Sequence, residues 1–178
     1  MLPPAREPAV TYRIDREGKL IAVAGFPDAP AFVGRSLRSL MSASGVMNLC
    51  HQLAQRARQG GEVSYRFRCD APAEKRWFLL EAKSLENGEV EFKSSLLSAE
   101  QRPRIAWLEL PARHGPAAPL VALCSWCGAV RAEEGGRWDP IEVALEQDPR
   151  IGPDQTPRLT HGICPSCEAD FLRKLKKG

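Results

Sequence analysis

The chain has 178 residues, of which 43% are hydrophobic and 26% are charged, and both fractions are ordinary for a globular protein. They exclude a collagen, a coiled-coil rod and a wholly disordered chain. The apolar runs fall far short of the ~20 residues that a membrane helix needs, and no signal peptide is recognised, so we expect a cytoplasmic protein without a membrane partner. The net charge of +3 does not by itself indicate a nucleic-acid-binding protein.

Alternating apolar residues predict five antiparallel strands in the first half of the chain. Val10, Tyr12 and Ile14 share one face of the first strand, and a turn at residues 15–18 leads into the second. Asn87-Gly88 predicts a tight hairpin between the last two strands, because both residues tolerate a positive φ angle. The later strands are predicted over residues 19–24, 63–67, 77–82 and 90–97.

One amphipathic helix is predicted between the second and third strands, over residues 46–59. Its apolar residues recur at i, i+3, i+4, i+7 and i+11 and form one stripe. These residues are Val46, Leu49, Cys50, Leu53 and Ala57. The order of two strands, a helix and three strands predicts an α+β fold, in which one main helix covers one face of a five-stranded antiparallel sheet.

Proline is dense from Gln101 to Leu120, where it blocks regular helix and central strand. We therefore predict a linker or strap between two different halves. The expected segments are a flexible lead-in, a sheet domain, a proline-rich linker and a cysteine-rich module, over residues 1–9, 10–100, 101–120 and 121–178.

Several short sequences in the sheet domain resemble a known family. They are Tyr-Arg-Ile-Asp-Arg-Glu-Gly-Lys at 12–19, Val-Gly-Arg-Ser-Leu at 33–37, Tyr-Arg-Phe-Arg-Cys-Asp at 65–70, Arg76-Trp77 and Val-Glu-Phe at 90–92. With the order of elements, they resemble a bacterial PAS-like family of unassigned function that carries a tail similar to Cys-Ser-Trp-Cys and His-Gly-Ile-Cys-Pro-Ser-Cys. The resemblance covers nearly the whole chain and implies a sensory or scaffolding role. The segment before the main helix is shorter than in PAS domains, so an enclosed pocket is not expected. Whether the domain binds a small-molecule ligand stays an open question at this point.

Four of the six cysteines form two C-x-x-C pairs, Cys124/Cys127 and Cys164/Cys167. In a cytoplasmic protein such pairs more often hold a metal or do redox work than form disulfides. Four thiolates suit Zn²⁺, which accepts tetrahedral soft ligands and, with all four sulfurs bound, forms a closed structural site. We therefore predict that these four cysteines bind one structural Zn²⁺.

The second cysteine pair precedes a basic amphipathic stretch at residues 168–177, and the first resembles a zinc knuckle that ends at Gly128. This is the layout of a treble-clef finger. The segment between the pairs has room for a turn at Gly135-Gly136, a strand near Trp138 and a short helix at residues 141–147. His161 is an alternative ligand, or donates a hydrogen bond to a ligand sulfur or a backbone carbonyl, or only holds its loop.

A thiol redox role is the alternative for the same cysteines. Thioredoxin-like sites place the tryptophan before the first cysteine, whereas Trp126 lies inside the motif here, so thiol exchange is not favoured. Oxidation of the thiolates as a redox switch stays open. We expect no haem, because His51 points away from the apolar stripe, and no flavin, because the residues around Cys50 lack the motif of flavin-binding light sensors.

The basic residues have two interpretations each. One group on or near the strands forms either a solvated face or a surface for an anion or a partner, and it consists of Arg66, Arg68, Lys75 and Arg76. The group at the end of the chain either complements a helix dipole or contacts nucleic acid, and it consists of Arg173, Lys174, Lys176 and Lys177.

No phosphate loop, catalytic triad or carboxylate pair is recognised, so no enzyme and no catalytic residue is predicted. We expect a regulatory sensor or protein-interaction protein of bacterial signal transduction that acts through a protein partner or a homodimer. A nucleic-acid-binding regulator and a thiol redox switch are the alternatives.

Overall fold

A computed structural model gives the structure of the protein and describes residues 10–25, 28–40, 44–61, 63–109, 118–131, 136–148, 151 and 157–177. The strands of the first half are β1 Val10–Ile14, β2 Leu20–Ala24, β3 Val63–Arg68, β4 Glu74–Ser84 and β5 Val90–Gln101. Two helices, α1 Leu37–Leu40 and α2 Ser44–Arg58, lie between β2 and β3.

The five strands form one antiparallel sheet in the order β2-β1-β5-β4-β3. The predicted α+β architecture is therefore confirmed at this level, with the strands close to their predicted positions. The hairpin between β4 and β5 contains Asn87 and Gly88, with φ angles of 61° and 75° as the Asn-Gly pair predicted.

One face of this sheet is covered by α2. Strand alternation places Ile14, Tyr65 and Phe92 on that face, and all three are buried. Helix α2 contributes a buried stripe whose described members are Cys50, Leu53, Ala54 and Ala57. The side chains of Val46 and Leu49, which the predicted stripe includes, lie outside the described residues.

The second half forms a smaller mixed sheet with two helices. Its elements are β6 Leu120–Cys124, β7 Ala129–Arg131, β8 Asp139–Pro140, α3 Ile141–Gln147, β9 Arg158–Gly162 and α4 Pro165–Lys177. The strand order is β8-β7-β6-β9, and β6 and β9 run parallel. Helix α3 has the predicted bounds and β8 follows Trp138, whereas Gly135 of the predicted turn lies outside the described residues. Among the helices that the structure describes, none is long and apolar enough to cross a membrane.

The segment after β5 packs against this second sheet. Ile105 and Trp107 are buried together with Val121, Val130 and Ile141, and they form a core separate from that of the first sheet. Part of the proline-rich segment, residues 110–117, lies outside the described residues, and the predicted segment boundaries stay predictions.

The core of the first sheet also contains side chains from the cysteine-rich half. Trp126 and Phe171 are buried in the same cluster as Tyr65, Phe92 and Leu53. The two halves therefore share one core, which brings the two cysteine pairs close to the covered face of the sheet.

Candidate metal centre

The first cysteine pair lies in a turn at the end of β6. Cys124 is the last residue of that strand, and the backbone N–H of Gly128 donates to the Cys124 carbonyl at 2.9 Å. Gly128 has a φ of 70°, a left-handed conformation that glycine adopts without strain. The N–H of Arg68 donates to the Trp126 carbonyl at 2.9 Å, so the turn is fastened to the end of β3.

The second pair lies where β9 passes into α4. The parallel register places Gly162 beside Cys124, so the chain after β9 runs past the first turn. Cys164 immediately precedes α4, and Cys167 lies in the first turn of that helix. A helix N-terminus favours negative charge, which suits a thiolate at either position.

This arrangement brings all four predicted ligands together. Their sulfur atoms lie within 4.8 Å of one another, and the Sγ atoms of Cys127 and Cys164 are 3.8 Å apart. Four thiolates at the Zn–S distance of ~2.3 Å lie about 3.8 Å apart in a tetrahedron. Cys124 and Cys164 are buried, and the other two are half-buried. The cluster is therefore positioned to hold a metal ion.

Hydrogen bonding among the sulfurs sets their protonation. Hydrogen bonds from the Cys127 and Cys167 thiols, and from the N–H of Cys164 at 3.3 Å, lower the pKa of the Cys124 thiol. The hydrogen bond that the Cys127 thiol makes with Cys124 raises the pKa of Cys127 to about 11. The hydrogen bonds that the Cys167 thiol makes with Cys124 and Cys127 raise the pKa of Cys167. Hydrogen bonding therefore favours the thiolate at Cys124, and a divalent cation would replace the protons on Cys127 and Cys167.

The other candidate residues lie outside the cluster. His161 is on β9 opposite Leu123, and its ligand atoms are not among those that converge with the four sulfurs. Cys50 is buried on α2, and Cys69 is exposed just after β3. His51 is exposed, as the helical phase predicted.

A buried ion cluster connects β3 to the cysteine-rich half, and no sequence motif predicts it. Arg68, for which the sequence predicts a position on a solvated face or a partner surface, is only 8% exposed. Its guanidinium pairs with Asp70 and with Glu142 Oε1, the latter at 3.0 Å, and it donates to the Cys127 carbonyl at 3.3 Å. Arg102 Nη1 reaches Asp70 Oδ2 at 2.8 Å. No periodic pattern marks these residues, because they meet only through the tertiary fold.

Three aromatic rings pack beside the cysteines. Tyr65 contacts Trp126 and Phe171 with ring centroids 5.6 Å and 5.5 Å away. The Tyr65 hydroxyl donates to Asp170 Oδ2 at 3.1 Å, and the Lys174 ammonium lies 4.6 Å from the Tyr65 ring centroid. Helix α4 is therefore held against the sheet by aromatic packing as well as by the cysteine turns.

A cleft of about 520 Å³ lies between the covered face of the sheet and the cysteine turn. Most of its lining is apolar and includes Phe67, Leu80, Leu108, Leu123, Ile141 and Leu159. Cys124, Ser125 and Trp126 form part of one wall, so the cleft and the metal centre have Cys124 in common.

The polar groups in this cleft are mostly uncharged. Burial raises the pKa of Tyr12, and burial raises the pKa of Cys50 to about 11, so both side chains are neutral at neutral pH. The cysteine turn supplies a wall that the short segment before α2 could not predict, because Cys124, Ser125 and Trp126 reach the sheet only through the tertiary fold.

Comparisons with known proteins do not assign the chain to a family, because no protein-family model matches it and no curated protein matches it significantly.

Proposed function

We propose that this chain is a regulatory protein of bacterial signal transduction that senses a small molecule, with a structural Zn²⁺ site that forms one wall of the ligand cleft. The proposal rests on one observation. Cys124 belongs to the four-sulfur cluster and also lines the cleft, together with Ser125 and Trp126 of the turn that follows it. The element order and the covered sheet support a PAS-like domain, and the two cysteine turns with α4 support a treble-clef-like module.

Zinc is the metal that the donor set favours. Four thiolates in a tetrahedral cluster are typical of Zn²⁺ or of iron–sulfur chemistry, and hard cations such as Mg²⁺ prefer oxygen ligands. Four protein ligands leave no open position on the metal for a substrate, which supports a structural role rather than a catalytic one. Structural zinc contributes ~10–16 kcal/mol of apparent binding free energy, enough to decide whether the cysteine-rich half folds.

The lining of the cleft supports an uncharged and mostly apolar ligand. Burying an unpaired charge among Phe67, Leu80 and Leu123 would be costly. Tyr12 and Cys50 provide neutral polar groups, and the charged lining residues Arg68 and Asp70 pair with each other. A volume of 520 Å³ is within the usual range of small-molecule sites. The output would pass to a protein partner or to a second copy of the chain.

The two alternatives receive less support from the described residues. Arg173 and Lys174 of the basic helix both pair with Asp170, which reduces the charge available to a nucleic acid. The side chains of Lys176 and Lys177 lie outside the described residues. A redox switch would use the same four sulfurs, and the experiment below distinguishes it from a structural metal site.

The metal is tested by elemental mass spectrometry and a free-thiol count on untagged protein. We expect one zinc per chain, with the four cluster thiols unreactive until a chelator is added. Cys164→Ser should lose the metal, and Cys69→Ser should keep it because Cys69 lies outside the cluster. Absence of metal, together with reversible oxidation of these thiols, would contradict a structural metal site and support a redox switch. Bound iron in place of zinc would contradict the assignment of the metal.

The cleft is tested with Nile red, an uncharged apolar dye whose fluorescence rises in apolar sites. Ser94→Leu should block binding because Ser94 lines the cleft. Ser95→Leu is the matched control, since alternation places Ser95 on the opposite face of β5. Equal binding by both variants would contradict a ligand site in this cleft.

A further inference from the structure

A second cleft, of about 390 Å³, lies beside α2 and is lined by none of the four cluster cysteines. Its walls come from the turn between β1 and β2, the start of α1 and one face of α2. Four of its lining residues are basic side chains, Arg16, Arg38, His51 and Arg58, and one is acidic, Glu17.

Two of the arginines are held in place by backbone carbonyls. Arg58 donates from Nη2 to the Asp15 carbonyl at 2.8 Å and from Nε to the Gly88 carbonyl at 2.9 Å. Arg16 donates from Nε to the Asn87 carbonyl at 2.7 Å. These bonds fix the guanidinium groups at the cleft without neutralising their charge, unlike Arg68, whose charge is paired with carboxylates.

The other ionisable side chains named above are also unpaired within the described part of the chain. Arg38 and His51 make no hydrogen bond or ion pair there, and Glu17 pairs with none of the basic residues. Three guanidinium groups therefore face one carboxylate across a single recess. This excess of positive charge lining one recess attracts anions.

We propose that this cleft binds a small organic phosphate. A guanidinium group offers paired N–H donors that match phosphate oxygens, and arginines fixed in advance lose little side-chain entropy on binding. The recess is larger than a phosphate group requires, and Ile14, Leu37 and Ala54 form an apolar part of its lining where the carbon skeleton of the ligand can pack. The arginines that carry this proposal line neither the metal centre nor the apolar cleft, although Cys50 lies between the two clefts and lines both. The proposal therefore does not depend on the function proposed above.

Isothermal titration calorimetry tests the proposal with adenosine diphosphate, a sugar phosphate, inorganic phosphate and uncharged adenosine. We expect at least one organic phosphate to bind more tightly than inorganic phosphate, and adenosine not to bind. Arg16→Gln and Arg38→Gln each remove a charge-assisted contact and should weaken binding about tenfold or more. Both residues are exposed, so the variants should fold and keep their zinc content.

Arg13→Gln is the matched control, because Arg13 is an exposed arginine that does not line the cleft. It should leave the affinity unchanged. An equal loss in all three variants would mean that net charge alone attracts the phosphate and would overturn the proposal. No binding of any phosphate at millimolar concentration would overturn it as well.

Discussion

Nη2 of Arg68 lies 3.0 Å from Oε1 of Glu142, although 74 positions separate the two residues in the chain. The contact joins the end of β3 to the start of α3 and is part of a cluster with Asp70 and Arg102. Because the same arginine donates to the Cys127 carbonyl, the position of the first cysteine turn depends on this buried charge.

Asp70→Asn should destabilise the protein by about 3–5 kcal/mol, because the change removes the negative charge that compensates two buried guanidinium groups. The side chains of Arg68 and Arg102 are only 5% and 8% exposed. The free energy of unfolding in urea measures the loss. Glu142→Gln is the control, since the Glu142 side chain is 43% exposed and should cost about 1 kcal/mol or less. Equal losses would contradict a buried charge cluster.

The contribution of Asp70 should also disappear at low pH. Burial by itself raises the pKa of Asp70, but hydrogen bonds from Arg68 and the Arg76 N–H, with the nearby guanidinium charges, lower it on balance. A lowered folded pKa gives stability that is complete above the unfolded value of ~3.9 and is lost as the pH falls through the folded value.

The measurement is the difference in unfolding free energy between wild type and Asp70→Asn over a pH series. We expect a constant difference from about pH 7 to pH 5 and a shrinking one below about pH 4. A difference that stays constant at low pH would contradict this assignment.

The sequence was sufficient for features that depend on local patterns. Alternation located the strands, helical spacing located α2 and α3, and the two C-x-x-C pairs identified the four cysteines that the fold brings together. It was not sufficient for features that depend on long-range contacts. Arg68 has the alternation of an exposed strand residue, and it is buried by the approach of the first cysteine turn and of α3. The apolar cleft is formed by segments far apart in the chain, so no local pattern indicated it.

Gly128→Ala should destabilise the protein by about 2 kcal/mol or more. A β-carbon there would lie 2.9 Å from Arg68 Nε, and the φ of 70° adds strain of roughly 1–2 kcal/mol for any other residue. Gly60→Ala is the control, because Gly60 has a φ of 83° with open space beside it and should show the strain alone. Urea denaturation of both variants makes the comparison, and identical losses would mean that Arg68 moves aside without cost.

Phe171→Ala should cost about 3–5 kcal/mol, because Phe171 is 1% exposed and packs against Tyr65 and Trp126. Leu172 is the neighbouring control, since it is 40% exposed, and Leu172→Ala should change stability by about 0.5 kcal/mol or less. Thermal and urea unfolding measure both. A small loss for Phe171→Ala would show that α4 contributes little to the shared core.

The contact between Tyr65 and Asp170 joins residues 105 positions apart in the chain, and this sequence separation affects the order of folding. Hairpins of the first sheet close short loops and can form early, whereas the docking of α4 must close a much longer one. We therefore expect α4 to dock late, with the face of the sheet that receives Trp126 and Phe171 exposed to other chains until it does. Association of such intermediates rises with concentration, so we expect the refolding yield to fall in concentrated protein even where the native state is fully stable.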